Sequence, residues 1–111
     1  MKRSRLGEFQ ELILMTIVVL QEDAYGLEIQ RDLESRLNER LSVGAIQTAL
    51  KRMEEKGFLS SEWGEATKKR GGKRKRIYKA TPYAYQVLHE MRDIRSQLWS
   101  AMPDFVTSKT Q

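Results

Sequence analysis

The stretch Lys68–Lys79, KKRGGKRKRIYK, holds the positive excess of the whole chain. It has eight Lys or Arg in twelve positions and no acidic residue. The 111 residues include 20 basic and 15 acidic ones, and without this stretch the net charge of +5 becomes −3. A run of one sign that contains Gly71-Gly72 and ends in alternating Ile77-Tyr78 is typical of a basic β-hairpin that binds a polyanion such as the DNA backbone. A solvated or disordered loop is the simpler interpretation, and the stretch alone does not distinguish the two.

The composition around this stretch predicts one folded domain. A chain of 111 residues that is 40% hydrophobic and 32% charged can bury one modest core. The absence of cysteine removes disulfides, thiolate chemistry and Cys-based metal sites, and is compatible with a reducing, cytoplasmic compartment. Glu8 and Glu11 interrupt what would otherwise resemble a signal peptide, and the apolar run 12–20 is too short to span a bilayer, so neither kind of segment is expected.

Two helices are predicted near the N-terminus. The pattern from Glu8 to about Glu22 is apolar on nearly every side after an acidic first turn, which predicts a buried first helix and leaves a buried strand as the competing interpretation. After a break at 23–26, an apolar residue recurs every four positions from Tyr25 to Leu37, with charged residues between. This predicts an amphipathic second helix that ends near Asn38, followed by an extended segment at 39–41.

The third helix has the clearest boundaries. Ser42 is a favourable N-cap, apolar residues at 43, 46, 50 and 53 form a stripe that should be buried, and Gly57 follows as the C-terminal cap. Residues 58–63 and 76–80 alternate and are rich in strand formers. With the glycine-containing basic loop between them, they predict a β-hairpin.

A long helix is predicted after the hairpin. Thr81 and Pro82 are a favoured cap and first residue, and we expect the helix to continue to about Met102, roughly 30 Å. Its apolar seam comprises Val87, Met91, Ile94, Leu98, Ala101 and Phe105. We therefore expect a DNA-binding domain at 1–81, a last helix at 82–105 within the same compact unit, and a disordered tail at 106–111.

The order of these elements predicts a winged helix-turn-helix, an α+β fold that is mostly α, with three helices, a β-hairpin wing and a long C-terminal helix. In such a fold the third helix enters the major groove and the wing contacts the flanking backbone. Glutamine pairs with adenine and Arg or Lys with guanine, whereas wing cations position the protein without contacting bases. The recognition-helix candidates are Ser42, Ala45, Gln47, Thr48, Lys51 and Arg52, and the wing candidates are Lys68, Lys69, Arg70, Lys73, Arg74, Lys75 and Arg76.

Four segments together resemble the PadR family of bacterial transcriptional regulators, over about residues 6–88. They are LGEFQELIL (6–14), DAYGLEI (23–29), LSVGAIQTALKRMEEKGFLSS (41–61) and GGKRKRIYKATPYAYQVL (71–88). The resemblance implies a cytoplasmic winged-helix protein, mostly a repressor, that binds a palindromic operator as a two-fold homodimer. The chain departs from the sequence pattern of the family at two places. It has Gln47 in GAIQTAL, where many members have Tyr, and KRIY at 75–78, where many have KRYY. The operator is therefore expected to differ from the usual one of the family.

The resemblance also implies what the last helix does. It forms the dimer together with the first helix, so Val87, Met91, Ile94, Leu98 and Phe105 are the expected interface residues. Some members are released from DNA by a flat hydrophobic or aromatic molecule bound between these helices, and Met15, Leu98, Trp99 and Met102 are the residues expected there. Dimer packing is an alternative explanation of Trp99. His89, the only histidine, is expected on the surface.

An enzyme is not expected. The sequence has one histidine, no cysteine, no HExxH and no phosphate-binding glycine loop, so neither a catalytic residue nor a metal or other cofactor is predicted. The alternatives that stay open are a winged-helix module that binds protein or RNA and a nucleoid-type protein that binds DNA without sequence preference. RNA binding is less favoured because the basic loop has no aromatic residue except Tyr78 for base stacking.

Overall fold

The computed structural model describes residues 6–64 and 74–104, which form four helices and one antiparallel hairpin. In chain order the elements are α1 (Glu8–Leu20), a 3-10 turn (Gln21–Asp23), α2 (Gly26–Leu37), α3 (Val43–Glu55), β1 (Leu59–Trp63), β2 (Arg76–Ala80) and α4 (Pro82–Ala101). This mostly helical arrangement confirms the predicted winged-helix fold, and it excludes a strand as the first element.

The predicted caps are formed by side chains. The Oγ of Ser42 accepts a hydrogen bond from the Ala45 N–H at 3.2 Å, and Oγ1 of Thr81 accepts one from the Ala84 N–H at 3.2 Å. Gly57 has φ of +87°, a conformation that favours glycine at the end of a helix. These local signals therefore fix where α3 and α4 begin and where α3 ends.

Side chains of α2 hold the turn that leads into α3. Asn38 ends α2 in the left-handed region, with φ of 55°. Nε2 of Gln30 donates to the Leu41 carbonyl at 3.1 Å, and the Leu41 N–H donates to a carboxylate oxygen of Glu34 at 2.8 Å. Both polar groups of the Leu41 backbone are thus bonded to α2, which fixes α3 relative to α2.

The core lies where α1, α2, α3 and the hairpin meet. Its largest fully buried side chains are Phe58, Ile13, Leu14, Ile17, Ile29, Leu33, Ile46, Leu50 and Met53. The stripe predicted on α3 is buried at 46, 50 and 53, but the prediction was wrong for Val43, which is 58% exposed. Val43 is the first residue of α3, so it lies ahead of the part of the helix that reaches the core.

The hairpin is attached to the segment before α2 as well as to α3. The two strands pair from Leu59↔Ala80 to Trp63↔Arg76. Ile77 also forms a bridge with Tyr25, and the Tyr78 N–H donates to the Ala24 carbonyl at 2.8 Å. The base of the hairpin therefore has a fixed position relative to the helix-turn-helix.

The second half of α4 extends beyond the core. Val87 is 3% exposed and packs in the core, and Met91 is partly buried against it, but residues 92–101 are all exposed. Ile94 and Leu98, the next residues of the predicted seam, are 39% and 61% exposed. Phe105 and the predicted tail 106–111 lie outside the described residues. Within the described part of the chain, no helix is long and apolar enough to cross a membrane.

Candidate nucleic-acid interface

An open cleft of about 510 Å³ lies between the exposed face of α3 and the hairpin strand β2. It is lined by Gln47, Thr48, Lys51, Glu54, Arg76 and Tyr78. The cleft brings together three of the candidate residues of α3 and one of the candidate residues of the wing. It is also lined by a carboxylate, that of Glu54, which sequence reasoning did not nominate.

The α3 candidates are all exposed, namely Ser42, Ala45, Gln47, Thr48, Lys51 and Arg52. Gln47, Lys51 and Glu54 follow one another at intervals of four and three residues, so they lie on one side of the helix. A Cβ atom added at Gly26 would lie 3.1 Å from Nε2 of Gln47, tighter than an ordinary van der Waals contact. The absence of a side chain at Gly26 therefore leaves room for the Gln47 amide beside the start of α2.

The wing candidates fall into two groups. Lys68, Lys69, Arg70 and Lys73 lie outside the described residues. Arg74, Lys75 and Arg76 are described, and of these Arg74 and Arg76 are exposed. Nε of Arg74 donates to the Gly64 carbonyl at 3.2 Å.

Lys75 is placed differently from its neighbours. Its Nζ lies 3.5 Å from the centroid of the Tyr25 ring and is shielded from solvent, without a hydrogen-bond partner among the described residues. This cation–π contact joins the hairpin to the segment before α2. Lys75 would have to leave the Tyr25 ring to reach a phosphate.

Arg76 belongs to a hydrogen-bonded group that joins the hairpin to α3. Its Nε donates to Oγ of Ser61 at 2.7 Å, and the Ser61 hydroxyl donates to Oε2 of Glu54 at 2.7 Å. Nη2 of Arg76 lies 3.6 Å from the same Glu54 oxygen, and its guanidinium carbon lies 5.5 Å from the centroid of the Trp63 ring. Three side chains, those of Ser61, Glu54 and Trp63, thus surround one guanidinium at the edge of the cleft.

The phenol of Tyr78 forms part of the cleft wall. Burial raises the pKa of Tyr78 above its ordinary value of 10.0, while the nearby Arg76 acts to lower it and Glu54 to raise it. Below its raised pKa the phenol is neutral and can donate a hydrogen bond into the cleft.

The sequence profile of the PadR-like family of transcriptional regulators matches residues 13–90. The chain belongs to this family. Its structure is similar to RosR of H. salinarum, with 26% identity and a TM-score of 0.66 over 93% of this chain and 86% of that one. It is also similar to a PadR family regulator from Clostridium difficile, with 26% identity and a TM-score of 0.62 over 86% and 97% of the two chains.

A PadR-like regulator from Bacillus cereus shares the fold with a TM-score of 0.68, at 20% identity over 93% of this chain and 91% of that one. No curated protein sequence matches the chain significantly. H. salinarum is an archaeon, so these similarities do not confirm the expected bacterial source.

The PadR-like fold leaves a second open surface here, the groove between α1 and α4. This interhelical groove has a volume of about 700 Å³. It is lined by Glu11, Met15, Val18, Val19, Tyr85, Leu88, His89, Arg92, Arg95, Ser96 and Trp99. Met15 and Val19 are 48% and 57% exposed, so α1 is apolar on its outer side as well as toward the core, and Trp99 of α4 is 59% exposed. The first helix, expected to be buried, is therefore buried on its inner side and exposed at Met15 and Val19.

The interhelical groove contains some of the residues expected at an effector site. Met15 and Trp99 line it, whereas Leu98 and Met102 do not. Met102 is the C-terminal cap of α4. His89 is exposed, as expected, and is among the residues that line the groove.

Proposed function

We propose that this PadR-like chain is a homodimeric regulator that binds a palindromic operator in duplex DNA and acts as a repressor. The observation that supports this most strongly is the cleft in which the exposed face of α3 lies beside Arg76 of the wing. In a winged helix, this is where the recognition helix and the hairpin would meet the major groove and the adjacent backbone.

The two charged elements have different roles in this proposal. On α3, Gln47 offers both an amide donor and an acceptor to a base edge, and Lys51 and Arg52 offer donors to guanine or phosphate. Arg74 and the basic residues at 68–73 supply phosphate contacts, which increase affinity for any duplex and make it salt-dependent. Affinity and sequence preference are thus expected to depend on separate residues.

The proposed dimer covers the apolar surface that one protomer leaves open. Met15 and Val19 of α1 and Trp99 of α4 surround the interhelical groove, and Leu98 is exposed nearby on α4. Such a patch is typical of an interface in a soluble protein. Of the interface candidates, Ile94 and Leu98 are available to a partner, whereas Val87 supports α4 from inside the core.

We further propose that a flat hydrophobic or aromatic effector binds in the interhelical groove. The interhelical groove offers Met15, Leu88 and Trp99 as apolar contacts and Arg92 and Ser96 as polar ones. Such a mixture of apolar walls and a few polar groups is what small-molecule sites provide. A ligand held there would act through the relative position of α1 and α4, and hence through the spacing of the two recognition helices.

The test of this function is selection of bound duplexes from a random pool by the purified full-length protein. Enrichment of a palindrome supports a sequence-specific dimer. Retention of DNA without any enriched sequence would instead favour the nucleoid-type alternative, and absence of DNA binding would favour a protein partner.

A further inference from the structure

Arg76 differs in what surrounds it from Arg74 and Lys75, the other wing cations that the structure describes. The side chains of Ser61, Trp63, Arg76 and Tyr78 lie on one face of the hairpin, because Ser61 pairs with Tyr78 and Trp63 with Arg76. That face is directed at α3, since Ser61 bonds to Glu54 and Tyr78 lines the cleft with Gln47. Arg76 therefore faces the recognition helix.

The contacts of Arg76 fix its orientation as well as its position. The bond from Nε to Ser61 and the contact from Nη2 to Glu54 hold one edge of the planar group at two points, and Ser61 and Glu54 are themselves hydrogen-bonded. A guanidinium held in this way keeps its remaining N–H donors in a defined direction. A freely rotating wing cation would need no such support to neutralise a phosphate.

The charge of Glu54 is difficult to explain if Arg76 only contacts backbone. A carboxylate beside a phosphate-binding arginine repels the phosphate and lowers affinity for every duplex alike. The same carboxylate is useful if the arginine must be aligned with the edge of a base, where two parallel N–H bonds to guanine O6 and N7 require a particular orientation.

We propose that Arg76 is a base-contacting, specificity-determining residue that acts with Gln47 and Lys51, and that Glu54 and Ser61 are positioning residues that align its guanidinium. This inference rests on the proposed binding of duplex DNA. It assigns one wing residue to sequence recognition, whereas Arg74 keeps the role of a backbone contact.

The test compares full-length variants by their affinity for the duplex selected by the wild-type protein and for a scrambled duplex of the same length. Arg76→Lys retains the charge but cannot contact Ser61 and Glu54 as a planar fork does. We expect it to reduce the ratio of the two affinities by about five- to 150-fold, the range of a good bidentate base contact, with little change in salt dependence. Ser61→Ala should reduce the ratio in the same direction by a smaller factor.

The matched control for Glu54→Gln is a change at Glu62, which lies on the face of the hairpin opposite to Ser61 and Arg76. Glu62 lies 3.5 Å from Lys79, and Glu62→Gln makes the same change from carboxylate to amide without touching Arg76. We expect Glu54→Gln to increase affinity for the scrambled duplex and to reduce the affinity ratio severalfold. Glu62→Gln should increase affinity for both duplexes by a similar, smaller factor, which leaves the ratio unchanged.

The outcomes separate this inference from the function on which it rests. If the wild-type protein selects a consensus but Arg76→Lys keeps the wild-type affinity ratio, Arg76 is a backbone contact and the inference is wrong. The same conclusion follows if Glu54→Gln and Glu62→Gln change the ratio equally. If the wild-type protein selects no sequence, the proposed function and this inference fail together. Thermal unfolding of each variant verifies that lost discrimination does not reflect lost fold.

Discussion

Arg95 on α4 and Glu11 on α1 form a two-bond ion pair, with Nη1 of Arg95 to Oε2 of Glu11 and Nη2 to Oε1 both at 2.5 Å. The Glu11 side chain is only 6% exposed, whereas that of Arg95 is 53% exposed. The hydrogen bonds to Glu11 raise the pKa of Arg95 above its already high ordinary value. Arg95 therefore stays charged at every ordinary pH, and the pair joins α1 to the part of α4 that lies beyond the core.

Arg95→Ala should destabilise the protein, because it leaves the buried Glu11 carboxylate without its partner. We expect the free energy of unfolding to fall by about 1–3 kcal/mol, less than for a fully buried pair since solvent reaches Arg95. Urea unfolding at a fixed protein concentration measures the change. Arg36→Ala is the matched control, since Arg36 bonds to Asp32 at 2.7 Å on the surface of α2 and should contribute at most about 0.5 kcal/mol. Equal losses for the two variants would contradict the role of the Glu11–Arg95 pair.

Trp99→Glu should weaken the proposed dimer without unfolding the protomer, because Trp99 is 59% exposed in the single chain. A charge at an aromatic position of the proposed interface should raise the dimer dissociation constant at least about tenfold. Sedimentation velocity over a range of concentrations measures the change. Leu27→Glu, at a position on α2 that is 45% exposed and does not line the interhelical groove, is the control and should leave the dissociation constant unaltered. A Trp99→Glu protein that dimerises as tightly as the wild type would place the interface elsewhere.

Arg74→Ala and Gln47→Ala should have different effects on DNA binding. Loss of the wing cation Arg74 removes one phosphate contact, so affinity should fall similarly for all duplexes and the slope of log K against log salt should decrease in magnitude by about 0.9. Loss of the Gln47 amide should change which sequence is preferred, with a smaller effect on the slope. Fluorescence anisotropy titrations at several salt concentrations measure both. A loss uniform across sequences for Gln47→Ala would remove this residue from the base-contacting face.

Tyr78→Phe should alter the alkaline pH dependence of stability. Burial raises the pKa of Tyr78 from 10.0, so the unfolded chain releases this proton at lower pH than the folded protein does. The contribution of Tyr78 is therefore complete below pH 10 and is lost as the pH rises through the folded-state pKa. We expect the stability of Tyr78→Phe to fall less steeply than that of the wild type above this pH, as measured by urea unfolding in a pH series. Identical slopes would show that the phenol ionises equally easily in both states.

Local signals made the fold predictable from the sequence. Ser42, Gly57 and Thr81-Pro82 each mark a helix end by the chemistry of one or two residues, and the structure places helix ends at all of them. The alternating pattern of residues 58–63 and 76–80 is likewise a local signal, and it predicted that the two strands form a hairpin. Such features depend on neighbours within a few positions, so they can be predicted without knowledge of the tertiary structure.

The contacts that join distant segments were not predictable in the same way. Glu11 and Arg95 are 84 positions apart, and each alone is typical of a solvated helix surface. Glu54, Ser61 and Arg76 meet only because α3 packs against the hairpin. The exposed side of α1 was also misjudged, because an apolar pattern does not show whether a residue such as Val19 faces the core of its own chain or an open surface.

Operator recognition by a homodimer is tested most directly by selection of duplexes from a random pool, followed by footprinting on the selected site. We predict a palindrome whose half-sites are centred about 34 Å apart, one turn of the double helix, because two recognition helices related by a two-fold axis must enter successive major grooves. A consensus without two-fold symmetry, or retained DNA with no consensus at all, would contradict the claim that this chain recognises an operator as a homodimer.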